Sequence, residues 1–174
     1  MIAVIGNGLV AKQVISIVKP NMVFTSSNID ELNNTQWETI YCAAPSGNRV
    51  WVQENPYIDK SNIWKIIHKC ADTKFNRFVL FSTGDTQVKP NSAYGHNRLV
   101  LENWVRELPS SSIIRLPSLI HNKITKNVLY DIKNNCWLDK INPQNELQWF
   151  DLTHLHAWIS VSYTHLRAHE TIDD

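Results

Sequence analysis

Cysteine is scarce. Cys42, Cys70 and Cys136 are the only three, odd in number and without metal-ligand spacing. Such a set argues against a disulfide framework and a thiolate metal site, so free thiols in a reducing cytoplasm are expected, with no metal. A charge excess is also missing. Lys and Arg total 17 against 16 Asp and Glu, a net charge of +1. This gives no electrostatic case for nucleic acid or an anionic membrane surface as partner. No apolar run approaches the ~20 residues that span a bilayer. The N-terminus lacks a basic leader and a small-residue cleavage site, so it reads as a strand rather than a signal peptide. Internal repeats and low-complexity stretches are absent. What is present suits a soluble globular chain: 174 residues, 43% apolar and 19% charged, enough for one domain with a small appendage. The seven Trp are many for this length; several are expected in the core and others along a substrate cleft.

The first eleven residues organise the rest. Met1-Ile2-Ala3-Val4-Ile5 is an apolar run that enters Gly6-Asn7-Gly8-Leu9-Val10-Ala11, and a helical pattern follows at Val10, Val14, Ile15 and Val18. The run reads as a strand buried on both faces. Gly6 permits the tight turn, Gly8 lets a pyrophosphate approach the backbone, and Ala11 allows the helix to pack closely. The helix N-terminus offers N–H groups and a positive dipole end to phosphate. Gly-x-Gly-x-x-Ala between a strand and a helix is the context that dinucleotide binding needs. A glycine-rich turn without a ligand is the plainer alternative.

Strand and helix then alternate. The pattern predicts a helix over 9–18 stopped by Pro20, a short strand Met22 to Thr25, and a strand Thr39 to Ala43. After the turn-rich Ala44-Pro45-Ser46-Gly47-Asn48, a long helix is expected through Ile58, Ile63, Ile66, Ile67 and Cys70. Strand four is placed at Arg77 to Phe81, a helix at Ser92 to Leu108 with Leu99, Val100, Trp104, Val105 and Leu108 on one side, and strand five at Ile113 to Leu116. This alternation predicts an α/β fold: a Rossmann-type, doubly wound parallel sheet of at least five strands with right-handed crossovers. Beyond residue 122 one helix, Lys126 to Asn134, precedes an irregular region. Val161 to Thr171 reads as a translated sequencing adaptor, to be left out of fold reasoning; His165 and His169 within it, though four apart, are not expected to bind metal. The expected divisions are 1–120 for the dinucleotide-binding domain, 121–159 for part of a substrate-side region and 160–174 for a non-native tail.

Ligands of open parallel sheets sit beyond the strand carboxyl ends. Strand four ends in Ser82-Thr83-Gly84, and the next helix opens with Tyr94-Gly95-His96-Asn97-Arg98. Tyr94 and Arg98 share a helix face. A guanidinium beside a phenol favours phenolate, which suits Tyr94 to acid–base work, with Thr83 bonding the same substrate oxygen. The plainer alternatives are a surface aromatic at Tyr94, a strand-end cap at Thr83 and a solvated charge at Arg98. His96 is expected to be exposed, and Cys42 to be core. Lys123 and Lys126 read as a solvated surface pair.

At Gly6–Ala11, Ala43-Ala44-Pro45-Ser46-Gly47, Phe81-Ser82-Thr83, Tyr94 to Arg98 with Glu102, and Ile114-Arg115-Leu116-Pro117, the chain resembles the short-chain dehydrogenase/reductase superfamily. The likeness is to its extended branch of nucleotide-sugar epimerases and dehydratases. The resemblance implies an NAD(P)-dependent epimerase, dehydratase or reductase acting on a sugar or nucleotide-sugar. Tyr94 would be the acid/base and Thr83 its helper. Gly6, Asn7, Gly8, Leu9, Val10, Ser26, Ala43, Ala44, Pro45 and Arg98 would hold NAD or NADP. Arg115 is placed near a substrate diphosphate. Expected partners are a small-molecule substrate and a second copy of the chain. Three departures stand out. Arg98 occupies the place of the family's lysine. No acid ends strand two, although Asp30 lies ~20 residues past the turn, where a ribose-binding acid is sought. The chain is also shorter than the family's members, which suggests C-terminal truncation. A non-catalytic NAD(P)-binding regulatory or redox-sensing module is the other function the residues allow.

Overall fold

The structure is a computed structural model and describes residues 1–144 and 146–160; the adaptor-like stretch with His165 and His169 lies outside them. The chain divides into two compact units, Met1–Arg115 and the residues from Leu116 onward. In the first unit the order is β1 (Ile2–Ile5), α1 (Leu9–Val18), β2 (Met22–Phe24), a 3-10 helix (Ile29–Asn34), β3 (Trp37–Cys42), α2 (Arg49–Glu54), α3 (Pro56–Ala71), β4 (Phe75–Thr83), α4 (Asp85–Val88), α5 (Ala93–Arg106) and β5 (Ser111–Leu116). The predicted α/β architecture is present: a five-stranded sheet ordered β2-β1-β3-β4-β5. Pairing is parallel between β1 and β2, β1 and β3, and β3 and β4.

That order explains the double winding. From β1 the chain steps to β2 on one side and then returns past β1 to β3 on the other. Right-handed crossovers in opposite directions put α1 on one face of the sheet and the later helices on the other. The core follows strand alternation. Ala3, Ile5, Phe24, Ile40, Cys42, Phe78 and Leu80 cluster with Ile63, Ile66, Ile67 and Cys70 of α3 and Leu101 and Val105 of α5. The intervening Val4, Tyr41 and Val79 are equally buried and face the other way. With both faces covered, the central strands read as unbroken apolar runs. Trp37 and Trp104 serve the core as expected. Trp37 donates Nε1–H to Leu32 O at 2.9 Å, and Trp104 meets Phe78 edge-on at 5.4 Å.

Two expectations are corrected in the helices. On α3, Ile58 is exposed at 55% while Asp59 is buried at 1%. Val100 and Trp104 on α5, and Leu108 just past its end, do lean on the core. The most buried stripe, however, is Asn97, Arg98, Leu101, Glu102 and Val105, because polar partners await it on neighbouring elements. In the second unit β6 (Ser118–Ile120) pairs in parallel with β7 (Trp149–Asp151), and α6 (Val128–Lys133) starts two residues later than predicted, capped by Asn127 accepting from Tyr130 N at 3.0 Å. A cavity of about 290 Å³ there is lined by Val128, Ile132, Lys140, Leu147 and Trp149, among others.

Candidate active site

The β1–α1 turn lies where the strand order reverses, between β1 and β3. Gly6 is forced by two constraints. Its φ of +124° is one L side chains rarely adopt, and an added Cβ would meet Ala43 O at 2.9 Å. Gly6 N donates to Phe24 O at 2.8 Å, and Ala43 N donates to Ile5 O at 2.9 Å. Gly6 therefore packs the ends of β1, β2 and β3 together. Gly8 differs: a Cβ there would meet nothing within 4 Å. It stands at the N-cap of the ten-residue α1, with no side-chain cap and no acid in the first turn. The first N–H groups of the helix thus have no side-chain cap and no acid of the first turn beside them. These are the features a diphosphate needs, so the residues present fit the group that the turn implies.

At the end of β2 the polar loop is folded on itself. Asn28 Oδ1 accepts from Thr25 N at 2.7 Å and its Nδ2 donates to Val23 O at 3.1 Å, while Ser26 is exposed. Asp30 faces α3. Its carboxylate lies 2.9 Å from Lys69 Nζ and 3.3 Å from Lys65 Nζ, and hydrogen bonds from those lysines hold its pKa below the usual carboxylate range. After β3, Ala44 and Pro45 join through a cis peptide, and Asn48 caps α2 by accepting from Trp51 N at 3.2 Å. Cys42 is core, as expected; burial pushes its thiol up to about 12.

The second constellation gathers around Tyr94. Ser92 caps α5 by accepting from Gly95 N at 3.0 Å. Gly95 allows close packing, since a Cβ would run into the carbonyl oxygens of Lys89 and Asp85. Tyr94 is half-buried between two guanidiniums: Arg98 Cζ lies 4.5 Å and Arg49 Cζ 5.6 Å from its ring centroid. Arg98 is no solvated charge. Its side chain is 5% exposed and grips Asp59, itself 1% exposed, through Nη1–Oδ2 at 2.7 Å and Nη2–Oδ1 at 3.1 Å. Nη2 also donates to Ser46 O, and Asn97 Nδ2 donates to Asp59 Oδ2 at 2.9 Å. Arg49 instead pairs with Asp85, Nε–Oδ2 2.6 Å, on a side chain that is 59% exposed.

Thr83 is buried at the end of β4, where Oγ1 accepts from Asp85 N at 3.3 Å. The structure brings Tyr94 to Arg98, but among the described residues no hydrogen bond joins Thr83 to Tyr94. Arg115 is turned to Glu102, with Nη2–Oε2 at 2.6 Å, so it is engaged in the fold rather than reserved for a diphosphate. Glu102 is fully buried and also accepts from Ser82 Oγ at 2.6 Å, Thr86 Oγ1 at 3.0 Å and Arg106 Nη2 at 2.8 Å. Burial pushes its carboxyl up, yet hydrogen bonds from Arg115, Ser82 and Thr86 outweigh this and hold it below its ordinary 4.5. Sequence reasoning missed Asp59, Asn97, Arg49 and Asp85. The Asn48 cap ahead of Arg49 was a usable signal for α2; an acid in the first turn of α3 looks like a dipole partner and gave none for Asp59.

A doubly wound sheet with a glycine turn at its switch point defines a Rossmann-type α/β protein. The backbone is similar to that of an NAD-dependent NDP-hexosamine 5,6-dehydratase, TunA, involved in tunicamycin biosynthesis (TM-score 0.73, 12% identity, 94% of this chain and 71% of that one). It is likewise similar to MoeE5 in complex with UDP-glucose and NAD (0.67, 12%, 94% and 71%). A third is the UDP-glucose 4-epimerase of Thermotoga maritima with UDP-glucose (0.65, 13%, 90% and 71%). At these identities the likeness is one of fold. No protein-family model matches the sequence, and no curated protein matches it. Among the described residues, no group of three or more His, Cys, Asp or Glu is placed to hold a metal, and no helix is long and apolar enough to cross a membrane.

Proposed function

We propose that this chain is an NAD(P)-dependent epimerase, dehydratase or reductase acting on a sugar or nucleotide-sugar. The observation that carries the reading is the uncapped start of α1 behind the open Gly8, at the switch point of the sheet. Asn7, Gly8, Leu9 and Val10 hold the dinucleotide's diphosphate through backbone N–H groups, and Gly6, whose own N–H is taken by Phe24 O, shapes the turn that presents them. Ser26 stands at its adenosine side, and Ala43, Ala44, Pro45 and Arg98 at its nicotinamide side. When bound, the nicotinamide supplies a site that accepts and returns a hydride. Tyr94 takes and returns the proton of a sugar hydroxyl, and the Thr83 hydroxyl orients the same oxygen. Arg98 lies against the Tyr94 ring, its Cζ 4.5 Å from the centroid, and holds the ring in place. The fold it shares with MoeE5, whose complex holds UDP-glucose and NAD, and with the UDP-glucose epimerase supports the substrate class.

One observation favours the non-catalytic alternative: the Arg98 charge is matched by Asp59, unlike a free lysine amine. Tyr94→Phe separates the two. The enzyme loses about 10²–10⁴-fold in turnover while calorimetry shows dinucleotide affinity unchanged. If the wild-type chain binds NAD⁺ or NADP⁺ but shows no turnover on any nucleotide-sugar, the binding module is correct.

A further inference from the structure

We propose that Arg49 is an anion-receiving residue: its guanidinium leaves Asp85 and takes a diphosphate group of a ligand lying beside Tyr94. This rests on the functional reading above and adds to it a residue outside the glycine turn. The argument starts from two arginines on one tyrosine ring. Both are paired with an aspartate, but the pairs differ in kind. Arg98 and Asp59 are sealed, at 5% and 1% side-chain exposure, with a carbonyl and an amide completing the set. Arg49 and Asp85 are at 59% and 16%. An ion pair with one side open to solvent is worth little compared with a sealed one, so Arg49 exchanges partners more readily than Arg98.

Position makes the exchange useful. Arg49 opens α2, directly after the loop leaving β3, and Asp85 opens α4, directly after β4. β3 and β4 are parallel neighbours, so the pair joins the two loops at their carboxyl ends, where open sheets take ligands. Ala43, at the start of the first loop, touches the Gly6 turn. Arg49 already presents a forked face, Nε and Nη2, to the two oxygens of a carboxylate. The same fork matches two oxygens of a phosphate.

The diphosphate can belong to the dinucleotide or to a nucleotide-sugar, and calorimetric titration of the full chain with NAD⁺ and, separately, UDP distinguishes them. Arg49→Met should lose about 10- to 100-fold in affinity for one of the two. Loss for UDP alone assigns the residue to the substrate diphosphate, and loss for NAD⁺ alone to the dinucleotide. Asp85→Asn removes the competing carboxylate and should tighten the same ligand about 2- to 5-fold; it also guards against misreading a fold defect in Arg49→Met. Unchanged affinity in Arg49→Met, where wild type binds, overturns the proposal and spares the functional reading. Failure of wild type to bind either ligand overturns both.

Discussion

Two glycines two residues apart do different work, and substitution separates them. At Gly6 a Cβ meets both a forbidden φ and the Ala43 carbonyl, so Gly6→Ala should cost about 1–3 kcal/mol of stability. At Gly8 the space is open and φ is an ordinary −71°. Gly8→Ala should leave stability within ~0.5 kcal/mol and weaken dinucleotide binding, because the methyl occupies the approach of the phosphate. Urea unfolding and calorimetry on the two variants read these effects apart. Asp59 is the other residue on which much depends. Asp59→Asn leaves the buried Arg98 charge uncompensated and should cost about 3–5 kcal/mol. Joint replacement by Leu at 59 and Met at 98 should recover most of that stability, which a denaturant series measures, while removing the nearer of the two cations from the Tyr94 ring.

Helix α5 is the element that ties structure to chemistry. Its first turn presents Tyr94, its second Arg98, and its third Glu102, which binds Ser82 and Thr86 around the end of β4 and Arg115 on β5. The folded-state pKa of Glu102 is lowered from its ordinary 4.5, so its contribution to stability is fully present above that unfolded value and is lost as pH falls through the folded one. Thermal melts from pH 7 to pH 3 should show wild type ahead of Glu102→Gln at neutral pH, with the gap closing in acid. Much of this helix was legible beforehand. Four-residue spacing gave Tyr94 and Arg98 a common face, and the apolar pattern gave its bounds to within two residues. The buried polar stripe was not legible, because periodicity records apolar residues and is blind to a charge whose partner is 39 positions away, as Asp59 is from Arg98. Helices α2 and α4, at six and four residues, are too short to leave a period at all.

At the scale of the molecule, the first unit read well from sequence because its central strands β1, β3 and β4 are buried on both faces and its turns carry Gly, Pro and Asn. The second unit, with three-residue strands and short helical turns, offers no such pattern. The central claim concerns the first unit: the β1–α1 turn at the switch point is where a nicotinamide dinucleotide binds. Amide-resolved NMR of the ¹⁵N-labelled chain, titrated with NAD⁺ and NADP⁺, tests it most directly. The account predicts that the Gly8, Leu9 and Val10 amide resonances shift with added dinucleotide, followed by those at Ala43 and Ala44, while Lys60 and Trp64 on α3 stay in place. Saturating dinucleotide that leaves the Gly8–Val10 amides unmoved would contradict it.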